Sequence, residues 1–131
     1  MASIFTRIVQ GEIPCYKVAE SDDFLAFLDI NPLKRGHVLV IPKTEINKFF
    51  DLPPQLLSGL MLFAQRVAKA MELAIPCQRI GMAVVGLEVP HAHIHLVPLT
   101  SAYDIEFSRP KASFTHRELE GIAQDIAARF I

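Results

Sequence analysis

The sequence predicts an α+β fold with a mainly antiparallel sheet of about five strands and two helices. Three observations lead there. Short apolar runs bounded by turn residues recur in the first half, a long amphipathic helix separates them from two later runs of the same kind, and a capped helical stretch ends the chain. In the order strand, strand, strand, helix, strand, strand, helix, only one crossover is long enough to hold a helix. Short hairpin connections therefore join the other strands.

Tyr16–Glu20 reads as a short strand followed by the Ser21-Asp22-Asp23 turn, and Phe24–Ile30 as a second, ended by Asn31-Pro32. Gly36 opens a β-branched third run, His37–Ile41, which Pro42 stops. Pro53-Pro54 starts the long helix, which runs to about Ala74. Leu56, Leu60, Phe63, Val67 and Met71 recur on it at steps of three and four, while Gln65, Arg66 and Lys69 occupy the wet side. Arg79–Val85 and His93–Val97 are the fourth and fifth strands. Thr115–Phe130 is the second helix, because Thr115 and Glu118 have the spacing of a capping box. Thr100–Phe114 is mixed in character and reads as loop.

The chain has 131 residues, a length suited to one domain over residues 1–131, with 51% hydrophobic and 21% charged residues. A net charge of −1 gives no bulk attraction to a nucleic-acid polymer or an acidic membrane, so any anion must be held by a few local groups. Cys15 and Cys77 are far apart and lack the spacing of a disulfide framework or thiolate metal site. The start of the chain has no signal-like apolar region, and no apolar run approaches the about 18 residues of a membrane span. A soluble, cytoplasmic protein is expected.

The chemistry is concentrated in Val89-Pro90-His91-Ala92-His93-Ile94-His95-Leu96-Val97. On a strand, His91, His93 and His95 would share one face, with Ala92, Ile94 and Leu96 packed behind them. Imidazole titrates near neutrality, so one ring can be a nucleophile while its neighbour donates a proton or hydrogen bond. Attack on phosphorus would form a phosphoramidate intermediate for water to hydrolyse. The same alternation also suits a zinc or copper site, and spacing alone leaves that alternative open.

His91-Ala-His-Ile-His-Leu-Val97 resembles the H-φ-H-φ-H-φ-φ motif of the histidine triad (HIT) family, where φ is apolar. Phe24-Leu-Ala-Phe-Leu-Asp-Ile-Asn-Pro32, Gly36-His-Val-Leu-Val-Ile-Pro-Lys43 and the opening from Ile4-Phe5 to Gly11-Glu-Ile-Pro14 are similar to the family's N-terminal half. The likeness extends from about residue 3 to residue 98.

The resemblance implies a HIT-like, homodimeric fold and a hydrolase acting on a substituted nucleotide α-phosphate, such as a nucleoside 5′-phosphoramidate, with a purine preferred. It makes His93 the nucleophile, with His91 and His95 positioning it, binding phosphate oxygens and assisting the leaving group. His37 becomes their hydrogen-bonding partner. Asp29 is expected at the ribose, and Phe5, Ile8, Phe27, Ile30 and Leu39 around the base. Backbone groups at Gly86, Glu88 and Val89 are expected near phosphate. No cofactor is implied. The alternatives are a nucleotide-binding regulatory module, a dinucleoside polyphosphate hydrolase, and a metal-binding protein.

The sequence departs from the family twice. Ser3, Thr6 and Glu45 stand where many relatives carry two cysteines and a histidine that hold structural zinc, so no structural zinc is expected. The loop Gly81–Pro90 is short, with Leu87 where glutamine is common and no asparagine to contact phosphate. Tyr103, Phe107 and Arg109 are expected to shape the leaving-group side, and His116 to be a surface residue.

Overall fold

The structure, a computed structural model, describes residues 1–131. Its elements are α1 (Ile4–Val9), β1 (Lys17–Glu20), β2 (Phe24–Leu28), β3 (Val38–Pro42), α2 (Pro54–Ala74), β4 (Arg79–Ala83), β5 (Ile94–Leu99) and α3 (His116–Ala127). Short 3₁₀ turns lie at Phe49–Asp51 and Ala102–Ile105. All strand pairs are antiparallel, in the order β1-β2-β3-β5-β4.

β2 and β3 are buried at every position, which explains their unbroken apolar sequences. Alternation still assigns each side chain to one of two layers. Phe24, Ala26, Leu28, Val38, Val40, Ile94 and Leu96 pack beneath α2 and α3 with Leu60, Phe63, Val67, Met71, Ile122 and Ile126. Leu25, Phe27, Leu39 and Ile41 form a smaller cluster on the other face, capped by Phe5 of α1. Ala92, Ile94 and Leu96 join the helical layer as expected, which leaves His93 and His95 on the face of the smaller cluster.

The α3 capping box is present: the Thr115 amide donates to Glu118 at 2.8 Å and the Glu118 amide to the Thr115 hydroxyl at 3.1 Å. Pro54 occupies the first turn of α2, where a missing N–H costs nothing. Gly36 turns the chain between β2 and β3 with φ +87°, and a Cβ there would lie 2.9 Å from Ile75 Cγ1. Glycine is therefore required by both backbone and space, and this turn delivers His37 to the sheet.

The structure corrects several boundaries. A third helix, α1, precedes the two expected ones; its six residues are too few to show helical periodicity, and the Ser3 hydroxyl caps it by accepting from the Thr6 amide. β5 runs Ile94–Leu99 rather than His93–Val97, and β4 ends at Ala83 because the next residues leave the ladder. The last helix ends at Ala127, and the segment after β5 contains a 3₁₀ turn fixed by Asp104, which accepts the Thr100 and Ser101 amides at 2.8 and 3.1 Å.

Candidate active site

A cavity of about 480 Å³ opens on the sheet face opposite α2 and α3. The ends of β2 and β3, α1, the loop before β5 and the segment after it form its walls. Phe5, Ile8, Phe27, Asp29, Ile30, Leu39, Gly86, Glu88 and Val89 all line it, together with His37, His93 and His95. Ile30 sits at the rim and stays 66% exposed.

His91 is the exception. The three rings share the face that α1 covers, since Phe5 meets both His91 and His93 edge-on, but pairing of β5 with β3 ends at Ile94, so residues 91–93 precede the strand. The His91 ring is fully buried and does not line the cavity. Its Nε2 lies 2.8 Å from the Pro42 carbonyl and its Nδ1 2.8 Å from the Ser3 hydroxyl. A carbonyl only accepts, so Nε2 carries the proton and Nδ1 accepts from Ser3. Burial, the largest influence, holds this ring's pKa below the usual histidine value.

The same reasoning fixes the other rings. The Leu33 amide donates to His37 Nδ1 at 3.0 Å, so the neutral His37 ring carries its proton on Nε2. That nitrogen is 3.0 Å from His95 Nδ1 and donates to it, leaving the His95 proton on Nε2. Burial is the main reason both rings stay neutral, lowering His37 to about 3 and His95 to about 4. His93 Nδ1 lies 2.7 Å from the His91 carbonyl and donates to it, so Nε2 of the neutral ring keeps its lone pair.

Aromatic edges hold these rings in place. Phe5 meets His93 edge-on with centroids 5.1 Å apart, and Phe107 meets His95 at 4.7 Å. The outcome is one ring whose Nε2 makes no hydrogen bond beside another with a free N–H, both in a largely apolar recess. Nucleophilic attack with hydrogen-bond assistance from a neighbour is the chemistry such a pair performs.

Asp29 completes the polar edge. Its Oδ2 lies 3.7 Å from His37 Nε2 and its Oδ1 accepts the Asn31 amide at 2.9 Å; burial, as the largest influence, raises its pKa. Asp29, His37 and His95 bring potential metal-ligating atoms within 4.8 Å of one another. A metal there would have to displace the His37–His95 hydrogen bond.

Lys111 was not anticipated, yet it is the one lysine or arginine lining the cavity, and its ammonium donates to the Phe107 carbonyl at 2.8 Å. A lone lysine in an aperiodic segment leaves no sequence signal. Of the three residues expected on this side, Phe107 lines the cavity, whereas Tyr103 and Arg109 do not. Arg109 stacks over Tyr103 at 4.4 Å and reaches Asp104 at 3.3 Å, bracing the 3₁₀ turn. His116 is exposed, and its Nδ1 shares a hydrogen bond of 2.5 Å with the Tyr16 hydroxyl.

Ser3, Thr6, Glu45 and His91 meet below α1. Glu45 Oε1 accepts from the Thr6 hydroxyl at 2.6 Å and from the Ser3 amide at 2.7 Å. The hydroxyls are poor zinc ligands, Ser3 already satisfies the imidazole Nδ1, and no thiolate is present. These residues do not fit a structural zinc.

Residues 10–102 match the HIT domain family. Over 99 residues the chain is 42% identical to a Saccharomyces cerevisiae protein named adenosine 5′-monophosphoramidase HNT1, covering 74% of this chain but only 62% of that relative's length. A Schizosaccharomyces pombe protein named adenosine 5′-monophosphoramidase hnt1 is 33% identical over 132 residues and 98% of each chain. A zinc-bound histidine triad family protein from Mycobacterium smegmatis superposes with a TM-score of 0.85 at 30% identity, covering 99% of this chain and 94% of that one.

Proposed function

The chain belongs to the HIT family, and on that premise we propose that it hydrolyses a nucleoside 5′-phosphoramidate, or a related ester or anhydride of a nucleotide α-phosphate, through a covalent nucleotidyl-His93 intermediate. One observation carries this reading: His93 is held with Nδ1–H on the His91 carbonyl, so its Nε2 lone pair is available beside the N–H of His95.

In the first step His93 Nε2 attacks phosphorus, a P–N(His93) bond forms, and the bond to the leaving group breaks. His95 Nε2–H donates a hydrogen bond to the leaving atom, which takes its proton from solvent water. In the second step water attacks phosphorus and the P–N(His93) bond breaks. The water proton replaces the one that solvent gave up, and the nucleoside 5′-monophosphate departs. Burial suits these roles, since His95 donates as a neutral ring and His37 fixes its tautomer.

Phe5, Ile8, Phe27, Ile30 and Leu39 offer an apolar slot for the base, with a purine preferred. The Asp29 carboxylate would accept from ribose hydroxyls, and backbone groups at Gly86, Glu88 and Val89, which line the same cavity, would contact phosphate. The absence of an amide side chain from this loop leaves Lys111 as the cavity's lysine or arginine cation. That favours a second reading, an anionic leaving group as in a dinucleoside polyphosphate.

We further propose that residues 1–131 work as one domain, as a homodimer, in the cytoplasm, and without a nucleic-acid polymer or membrane as partner. The open edge of β4 and the exposed side chains of Met61, Leu62, Met82, Val84 and Val85 support the dimer. No helix is long and apolar enough to cross a membrane.

Steady-state turnover of an adenosine phosphoramidate, followed with intact-protein mass spectrometry, tests the central proposal. Turnover abolished in His93→Ala, with a nucleotidyl adduct trapped on the wild type, is the expected result. A wild type with neither turnover nor adduct overturns it.

A further inference from the structure

The nucleophile lies outside the β-ladder that holds the rest of its strand. The ladder from β3 ends at Ile94, so neither His93 nor the His91 carbonyl that orients it is fixed by the strand pairing. Other groups must hold residue 91. The His91 amide donates to the Val89 carbonyl at 2.8 Å and the Ala92 amide to the Ile46 carbonyl at 2.7 Å, tying this backbone to the loop that carries Glu45.

The ring of His91 is clamped at both ends. Nε2 donates to Pro42 at the end of β3, and Nδ1 accepts from the Ser3 hydroxyl at the start of α1. The Ser3 hydroxyl oxygen is oriented by the Thr6 amide, which donates to it at 3.0 Å. Glu45 then holds both α1 residues, accepting the Ser3 amide and the Thr6 hydroxyl. The Thr6 hydroxyl proton is committed to Glu45, so the 3.3 Å approach of Thr6 Oγ1 to His91 Nδ1 adds no donor, and Ser3 alone completes the ring.

We propose that Glu45, Thr6, Ser3 and His91 form a metal-free positioning hub that fixes the His91 carbonyl and, through it, the reactive tautomer of His93. Ser3 and Glu45 act here as positioning residues: they touch no reacting atom but decide which His93 nitrogen faces the phosphate. The hub contains no thiolate, and it couples α1, β3 and the catalytic loop through hydrogen bonds alone. The kinetic consequence rests on the proposed hydrolytic reaction, whereas the tautomer can be read without any substrate.

The test uses the full chain purified without an affinity tag, with Ser3→Ala, Ser3→Thr and Glu45→Gln beside the wild type. Long-range ¹H–¹⁵N spectra of the imidazoles should show wild-type His93 protonated at Nδ1 only, and a mixture of tautomers in Ser3→Ala. With an adenosine phosphoramidate, kcat should fall about tenfold in Ser3→Ala while KM stays within about twofold, and Ser3→Thr should recover most of the loss. Should Ser3→Ala fail to fold, the exposed Glu45→Gln decides, with an expected fall in kcat of about threefold at unchanged KM.

Zinc determined by elemental analysis should be far below one per chain, and dialysis against a chelator should leave the spectra unchanged. An unmixed His93 tautomer in both Ser3→Ala and Glu45→Gln, or stoichiometric zinc whose removal disorders residues 91–93, overturns the hub. A wild type inactive on the substrate but with the expected tautomers counts against the proposed reaction and not against the hub.

Discussion

His37 Nε2 and His95 Nδ1 face each other at 3.0 Å in a region where neither ring reaches 10% exposure, with the opposite nitrogen of His37 already accepting the Leu33 amide. A backbone amide in the β2–β3 connection thereby determines which nitrogen of a cavity histidine carries a proton. Hydrogen bonds that fix a tautomer cost little at the moment of reaction, because the orientation is set during folding.

Replacing His37 with phenylalanine keeps an aromatic ring and most of its volume but removes the donor to His95. The expected fall in kcat/KM for an adenosine phosphoramidate is about tenfold to a hundredfold, with the affinity for nucleoside monophosphate changed by less than about threefold. Calorimetric binding and initial rates on the same preparation separate the two. Unchanged kcat/KM in a folded variant would mean that His95 needs no orienting partner.

Stability should depend on pH through the same rings. Burial lowers His37 to about 3 and His95 to about 4, and His91 also lies below the usual value of 6.5. As pH falls below about 6.5, the unfolded chain binds protons that the native chain refuses, so stability is full above that pH and declines toward the native values. A loss of roughly 5 kcal/mol between pH 6.5 and pH 4, or roughly 20 °C in Tm, is expected from thermal melts. The decline should be shallower in His37→Phe. A flat profile over this window would show that these rings are not held neutral.

Much of this arrangement is legible in the sequence because burial and alternation leave strong patterns. The apolar runs Phe24–Ile30 and His37–Ile41 read as strands and fold as strands over Phe24–Leu28 and Val38–Pro42, and Thr115 with Glu118 announces α3. The residues expected around the nucleotide converge on one cavity because the motifs that carry them lie on adjacent strands and on α1 above them. Two features were hidden for physical reasons. α1 is less than two turns long and depends on contacts with Glu45 and His91, which no local pattern records. The different role of His91 depends on where β5 stops pairing with β3, and three alternating histidines look alike whether or not the ladder reaches the first.

Lys111 yields a prediction about the leaving group. Its ammonium is held at the Phe107 carbonyl, and Phe107 packs against His95, the ring assigned to the leaving side. A cation beside that ring favours a negatively charged leaving group over a neutral amine. Lys111→Met should therefore lower kcat/KM for a dinucleoside polyphosphate more than for an adenosine phosphoramidate, shifting their ratio by about five- to tenfold. Because the side chain is exposed, added salt should weaken the same preference in the wild type. Competition between the two substrates in one reaction reads the ratio directly and cancels differences in active-enzyme concentration. An equal loss on both substrates would place Lys111 at the shared α-phosphate, and an unchanged ratio with unchanged rates would remove it from the site.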